Sequence, residues 1–246
     1  MRMSNAILAA FFLCSSAVHA EQTDLFNRAN ESYATGKYAN AARDLEELAG
    51  RKELSAPLFF NLGNAYFRDG RTGLSILNYE RAFWLNPGDP DTRANLRFVR
   101  KTAGLFEPTL TWWQVVPGWM SLDAWSWIAC ASWFLLVAVL ILRWWKREAK
   151  WTSGFKPVTA VLAVTLAVSL SSALIRLPDL ERAVVLAADA PLRVAPLEKS
   201  PAPATLRAGD LVQIENRHGP FFFVETEDGK TGWATDKEVE PIISHF

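Results

Sequence analysis

Two stretches of this chain match each other at a constant displacement of 34 residues. Ala29-Asn30 recurs as Gly63-Asn64, Tyr33 as Phe67, Gly36 as Gly70, Ala41 as Ser75 and Leu45 as Tyr79. A period of this length, with small residues at two fixed places and aromatics between them, describes a helix-turn-helix unit. One such unit cannot bury its apolar face, so copies stack and share a continuous core. Stacks of this kind present extended surfaces to other proteins, which points to interaction rather than catalysis.

The pattern predicts helices over 25–34, 38–48, 57–69 and 72–85, with turns at Gly36-Lys37 and Gly70-Arg71. Asn86-Pro87-Gly88 stops the fourth helix, because proline offers no N–H and glycine tolerates left-handed backbone. Asp89-Pro90 opens a fifth over 91–101, with the aspartate as cap and the proline in the first turn. Its Arg93, Arg97, Arg100 and Lys101 are expected to face water and close the open end of the stack.

Half of the residues are hydrophobic, and they concentrate in two runs in the middle of the chain. The run from Leu122 to Leu142 carries only Asp123 as a charge, at its very start, and Val158 to Ile175 carries none. Both are long enough to cross a bilayer. Ala163, Ala167 and Ser171 recur every four residues and predict a face on which another helix approaches closely. Between the runs lie Arg143, Lys146, Arg147, Lys150 and Lys156 against Glu148 alone, whereas Ala103 to Ser121 holds no Lys or Arg. The positive-inside rule makes the basic loop cytoplasmic and places both flanking domains across the membrane. Trp112, Trp113, Trp119, Trp125 and Trp127 at one end, and Trp144, Trp145 and Trp151 at the other, read as headgroup anchors. The linker around Phe106 to Gly118 has the Trp and Leu content of a segment lying on the membrane surface.

Arg2, an apolar stretch from Ala6 to Leu13, and Val18-His19-Ala20 have the layout of a secretory signal peptide cleaved before Glu21. That apolar stretch is too short to span. Cys14 is a poor lipoprotein signal with Phe11 and Leu13 before it; after cleavage Cys130 alone remains, and no intramolecular disulfide forms. With 26 basic and 26 acidic residues, the chain has no excess charge to offer nucleic acid.

From 183 onward the sequence changes to short apolar stretches. Ala183–Ala187, Leu211–Glu215, Phe221–Glu225 and Gly232–Ala234 read as strands, with turns at Ala208-Gly209-Asp210, His218-Gly219-Pro220 and Asp228-Gly229. A small antiparallel barrel is expected. Phe221, Phe222 and Phe223 are consecutive, so strand alternation turns at least one away from the core. Such a ring either meets a partner or the membrane, or belongs to an edge strand covered by the adjacent span.

Chemistry-bearing motifs are scarce. His218 and His245 have no cysteine or carboxylate at metal-ligand spacing, and there is no phosphate-binding glycine loop, nucleophile elbow or zincin helix. Glu46-Glu47 and the Glu225, Glu227, Asp228 group read as solvated faces. The expectation is a protein without catalytic, cofactor or metal-binding residues.

The second copy, with Leu62-Gly63, Tyr66, Gly70, Tyr79, Ala82 and Pro87, resembles a tetratricopeptide repeat, with Ser75 in place of the usual alanine. The first copy is more divergent but keeps Ala29, Gly36, Tyr38 and Ala41. The resemblance implies a concave groove lined by Phe26, Asn30, Tyr33, Phe60, Asn61, Asn64, Phe67, Arg68 and Asn95. Asn30, Asn61, Asn64 and Asn95 match the amide part of the carboxylate clamp found in some relatives. Phe26, Phe60 and Asp91 stand where its lysines belong, which favours an aromatic groove for an apolar or extended segment. Phe26 and Phe60 serve equally well as packing between helices.

The order Leu206-Arg207-Ala208-Gly209-Asp210, Phe223-Val224, Gly229-Lys230-Thr231-Gly232-Trp233 is similar to bacterial SH3-like domains, which implies cell-wall peptide or protein binding through Phe221, Phe222, Phe223 and Trp233. The chain divides into a leader (1–20), helical repeats (21–102), a linker (103–121), spans (122–142 and 158–176) around a basic loop (143–157), and an SH3-like barrel (183–246). This order, with Ser121-Leu122-Asp123-Ala124-Trp125 leading into the first span, resembles the BatE family of the Bacteroides aerotolerance operon. The resemblance implies a non-catalytic scaffold beside membrane proteins with von Willebrand A domains and a MoxR-type ATPase. A peptidoglycan-binding role for the barrel is the rival, and the short cytoplasmic loop argues against an inward-signalling sensor.

Overall fold

The computed structural model describes residues 23–51, 54–105, 116–145 and 149–243. The expected leader at 1–20, Trp112 and Trp113, Lys146 and Arg147, and the side chains of Lys150 and Trp151 lie outside the described residues.

Five helices form the first body: α1 (23–34), α2 (Tyr38–Gly50), α3 (Ala56–Arg68), α4 (Thr72–Leu85) and α5 (Pro90–Thr102). Gly36 and Gly70 turn the two hairpins with φ of +77° and +79°, the left-handed backbone that glycine adopts without strain. The small residues of the repeat sit where helices touch. A Cβ on Gly63 would lie 2.8 Å from the Tyr79 ring, and Ser75 Oγ donates to the Gly63 carbonyl at 2.8 Å. Ala29 and Ala41 are buried at the matching places of the first hairpin. Leu25, Leu45, Leu48, Leu58, Phe59, Leu62 and Tyr66 fill the core between hairpins. Ser55 caps α3 and Asp89 caps α5, accepting from Leu58 N at 3.3 Å and Thr92 N at 3.0 Å.

Among the described residues two helices are long and apolar enough to cross a membrane, each containing an 18-residue stretch with a mean hydropathy of 2.2. They are α6 (Leu122–Trp145) and α7 (Ala149–Arg176), packed on each other. Helix α7 begins within the stretch expected to be loop and continues through Pro157. The expected small-residue face is not the packed one. Ala163, Ala167 and Ser171 are exposed, while Ser169 and Ser172 of α7 and Ala129 and Ser132 of α6 are buried. Ser169 Oγ donates to its own helix at Thr165 O, 2.7 Å, which makes a hydroxyl tolerable in the contact. Trp119, Trp127, Trp144 and Trp145 are exposed, as anchors require, but Trp125 is 8% exposed. Its indole nitrogen donates to the Pro117 carbonyl at 3.1 Å, tying the short 3-10 turn Pro117–Trp119 to α6 rather than meeting headgroups.

Beyond α7 a 3-10 turn (Leu177–Glu181) leads into β1 (Arg182–Val185), β2 (Asp189–Leu192), β3 (Ala204–Arg207), β4 (Leu211–His218), β5 (Phe221–Thr226), β6 (Thr231–Thr235) and β7 (Val239–Pro241). One antiparallel sheet has the order β6-β5-β4-β1-β7, and β2 pairs with β3 separately. The Asp228-Gly229 hairpin is present between β5 and β6, with Gly229 at φ +79°. At Gly232 the ribbon crosses the sheet: an added Cβ would lie 2.6 Å from Leu192. Strands β2, β3 and β7 were not expected from sequence. Nor is β5 an edge strand under a span, since β4 and β6 pair with it on both sides.

Arg193 clamps the ribbon onto the sheet. It exchanges backbone hydrogen bonds with Trp233 and donates to both oxygens of Glu238 at 2.8 and 2.9 Å. Burial works against the Glu238 charge, yet bonds from Arg193 and the Thr235 N–H hold its carboxyl below its ordinary 4.5. A lowered carboxyl stabilises the fold above its unfolded pKa and stops doing so as pH falls through the folded one. Acidification to below 4.5 is expected to loosen the sheet domain in wild-type protein and less so in Glu238→Gln, as followed by Trp233 fluorescence.

The helical body and the sheet are one packed unit. Helix α4 is buried along most of its length because α3 and α5 cover one side and β1 the other. Ile76, Leu77, Val99, Val184, Leu211 and Ile242 form a core that crosses the joint. A Cβ on Gly73 would stand 2.8 Å from the Val185 carbonyl, and one on Gly209 2.3 Å from Ile76 Cδ1. Arg81, 5% exposed, donates Nε to the Ile242 carbonyl at 3.0 Å and Nη2 to Glu240 at 2.7 Å. Arg100, expected in water, is 4% exposed and pairs with Glu227 at 3.3 Å and Glu80 at 3.7 Å. Desolvation raises the Glu227 carboxyl despite Arg100 and Arg182 beside it. Arg176 closes the assembly at the end of α7, donating to the Met120 carbonyl with its guanidinium 4.8 Å from the Trp84 ring. The helical body and the sheet therefore stand at the same end of the α6–α7 hairpin.

Candidate functional site

Helix α3 carries Asn64, Phe67 and Arg68 on a face distinct from the Phe59, Leu62 and Tyr66 stripe that enters the core. Helix α5 brings Asn95 and Phe98, three positions apart, beside Asn64 and Phe67. Asn64 Oδ1 accepts from Tyr79 OH at 2.6 Å and from Asn95 Nδ2 at 3.1 Å. Both bonds end on that oxygen, so the Asn64 amide nitrogen keeps its donors for a ligand. Phe67 and Phe98 meet edge to face at 5.7 Å, and Phe98 is 58% exposed. Burial pushes the Tyr79 phenol up, so it stays protonated and donates.

One residue beyond Phe67, Arg68 donates to Tyr38 OH at 2.8 Å and lies 5.1 Å from its ring centre. Tyr38 meets Tyr33 edge to face at 5.3 Å. Amide cluster, aromatic pair and Arg–Tyr cluster follow each other along α3. The surface offers hydrogen-bond donors, ring faces and one cation, which suits an extended peptide backbone with apolar side chains.

The structure thus brings together Asn64, Asn95, Phe67, Arg68 and Tyr33. Phe26 and Phe60 pack against the core, with Phe60 also 5.9 Å from the Tyr79 ring, so the packing reading holds for both. Asn30 is exposed and Asn61 half-buried, and neither joins the cluster. Sequence reasoning missed Tyr38, Tyr79 and Phe98. An isolated aromatic in the polar run DTRANLRFVRK, three residues after Asn95, was the available signal for Phe98.

Among the sheet candidates, Phe221 is buried and Phe222 packs on the sheet core under Arg217, 5.3 Å from its ring, so neither is a surface residue in the sense expected. Phe223 lies opposite Trp233 in the register, their rings 5.2 Å apart, and the His218 ring is 6.4 Å from Trp233. These three make a second, smaller aromatic patch.

No protein-family model matches the chain, and no curated protein matches it.

Proposed function

We propose that this chain is a membrane-anchored interaction scaffold that grips an extended segment of another protein on the α3–α5 face. The observation that carries the proposal is the line of half-buried Asn64 and Phe67 and exposed Phe98 and Arg68, positioned by Tyr79, Asn95 and Tyr38, with the Asn64 amide nitrogen still free to donate. In this reading the hairpins are tetratricopeptide-like repeats and the sheet is an SH3-like module fastened to them. The basic loop faces the cytoplasm and the joined body stands in the periplasm over the inner membrane. The partners are membrane or periplasmic proteins, and the resemblance to the BatE family suggests von Willebrand A membrane proteins and a MoxR-type ATPase assembly. Replacing Asn64 and Phe67 together by alanine is expected to reduce partner co-purification at least tenfold while a cooperative thermal transition shows the protein still folded. Unchanged recovery of the partner contradicts the proposal.

The Phe223, Trp233 and His218 patch favours a second reading, in which the sheet binds cell-wall peptides and the helices support it. Because Val184 and Leu211 pack on α4, the sheet is best tested in the full chain. A pellet with purified cell wall that Trp233→Ala abolishes supports this second reading.

A further inference from the structure

Between the two hairpins, on the side of α3 away from Asn64, a cavity of about 260 Å³ opens to the surface. It is independent of the interaction face described above. Its floor is apolar, from Leu54, Phe59, Leu62 and Leu74, and its polar wall holds Glu46, Asn78, Arg81 and, from β7, Glu240.

The donors of this wall are directed at the protein itself. Tyr66 OH donates to Glu46, Asn78 Nδ2 to the Leu74 carbonyl at 2.8 Å, and Arg81 to Ile242, Pro241 and Glu240. What the wall offers an incoming group is acceptors, the second oxygen of Glu46 and the Asn78 amide oxygen, while Glu240 is engaged by Arg81. Two carboxylates stand against one guanidinium. Arg71 stacks on the Tyr66 ring, 4.8 Å from its centre, and is not part of the wall. A guest complementary to this arrangement has a cationic donor head on an apolar stem, with the stem on the leucines and the head at Glu46.

We infer that this cavity is a binding site for a lysine side chain presented by a docked partner protein. Its lining comes from both hairpins, and the sheet contributes Glu240 of β7.

The test uses the full-length protein in detergent, with Nα-acetyl-lysine-N-methylamide as probe and Nα-acetyl-norleucine-N-methylamide as its uncharged counterpart, read by saturation-transfer NMR. The lysine probe is expected to bind about fivefold more tightly. Glu46→Gln, a change at an exposed residue, should erase that preference while leaving the melting temperature unchanged, and Ala49→Phe should block both probes. Equal binding of the two probes, binding of neither, or a preference that survives Glu46→Gln overturns the inference. The α3–α5 face is untouched by these variants, so failure here leaves the partner test of Asn64 and Phe67 unaffected.

Discussion

Replacing Arg81 by methionine should destabilise the protein by about 3 kcal/mol, the low end of what breaking a buried ion pair costs. Arg81 is nearly sealed, whereas the Glu240 side chain keeps 27% of its surface, so water softens the penalty on the stranded carboxylate. The loss is not confined to the pair. Arg81 also satisfies the carbonyls of Ile242 and Pro241, and its guanidinium lies 5.7 Å from the Phe59 ring, so one side chain fastens β7 to the helical core. Thermal melting in detergent should fall by roughly 6–12 °C. Adding Glu240→Gln to Arg81→Met should recover part of this by removing the uncompensated charge. A fall of less than about 2 °C for the single variant would mean that β7 does not depend on Arg81.

Gly73→Leu should separate the sheet from the helices altogether. A Cβ at this position meets backbone on the far side, 2.8 Å from Val185 O and 2.9 Å from Leu186 Cα, and backbone cannot rotate away as a side chain can. Even alanine is expected to cost about 1–3 kcal/mol. Leucine leaves room for no packed joint, so Ile76, Leu77, Val184 and Leu211 become accessible. The measurement is limited proteolysis with cleavage near Leu177–Glu181, expected to be at least tenfold faster in Gly73→Leu than in wild type. Gly50→Ala is the control, since nothing stands within 4 Å of its added Cβ. Equal rates for Gly73→Leu and wild type would show that the joint does not form.

The repeat was legible because its small residues are demanded by contact. Gly63 and Ser75 occupy the crossing of α3 and α4, where Tyr79 leaves no space for a larger side chain. Asp89-Pro90 and Asp228-Gly229 were legible because caps and tight turns depend on a few adjacent residues. The joint was not, because it is a property of two distant segments. Its trace in the sequence was the wide apolar coverage of α4, which has Ile76 and Leu77 side by side although one-sided helices confine such residues to a stripe. Arg100 misled because a basic run is usually solvated, and its buried partners come from two other segments, Glu80 of α4 and Glu227 of the turn after β5. Strands β2 and β7 are short and contain Pro191 and Pro241, which weakens any local strand signal. On α7 the spacing of Ala163, Ala167 and Ser171 was real, but burial of Ser169 and Ser172 turned the helix the other way.

At the interaction face, Asn64, Phe67 and Arg68 were named from repeat position alone. Their arrangement needed Tyr38, Tyr79 and Phe98, which lie outside the groove-lining positions of the motif. Phe221 failed as a surface candidate because its side chain is buried, although strand alternation puts it on the same face of β5 as the half-buried Phe223.

The most direct test of the scaffold account places a benzophenone amino acid at position 67, or at 223, in the full chain and irradiates native membranes. The account predicts a covalent adduct with a discrete membrane or periplasmic protein from position 67, lost when Asn64→Ala is added. An adduct with cell-wall material from position 223, with none from position 67, would contradict it and assign recognition to the sheet.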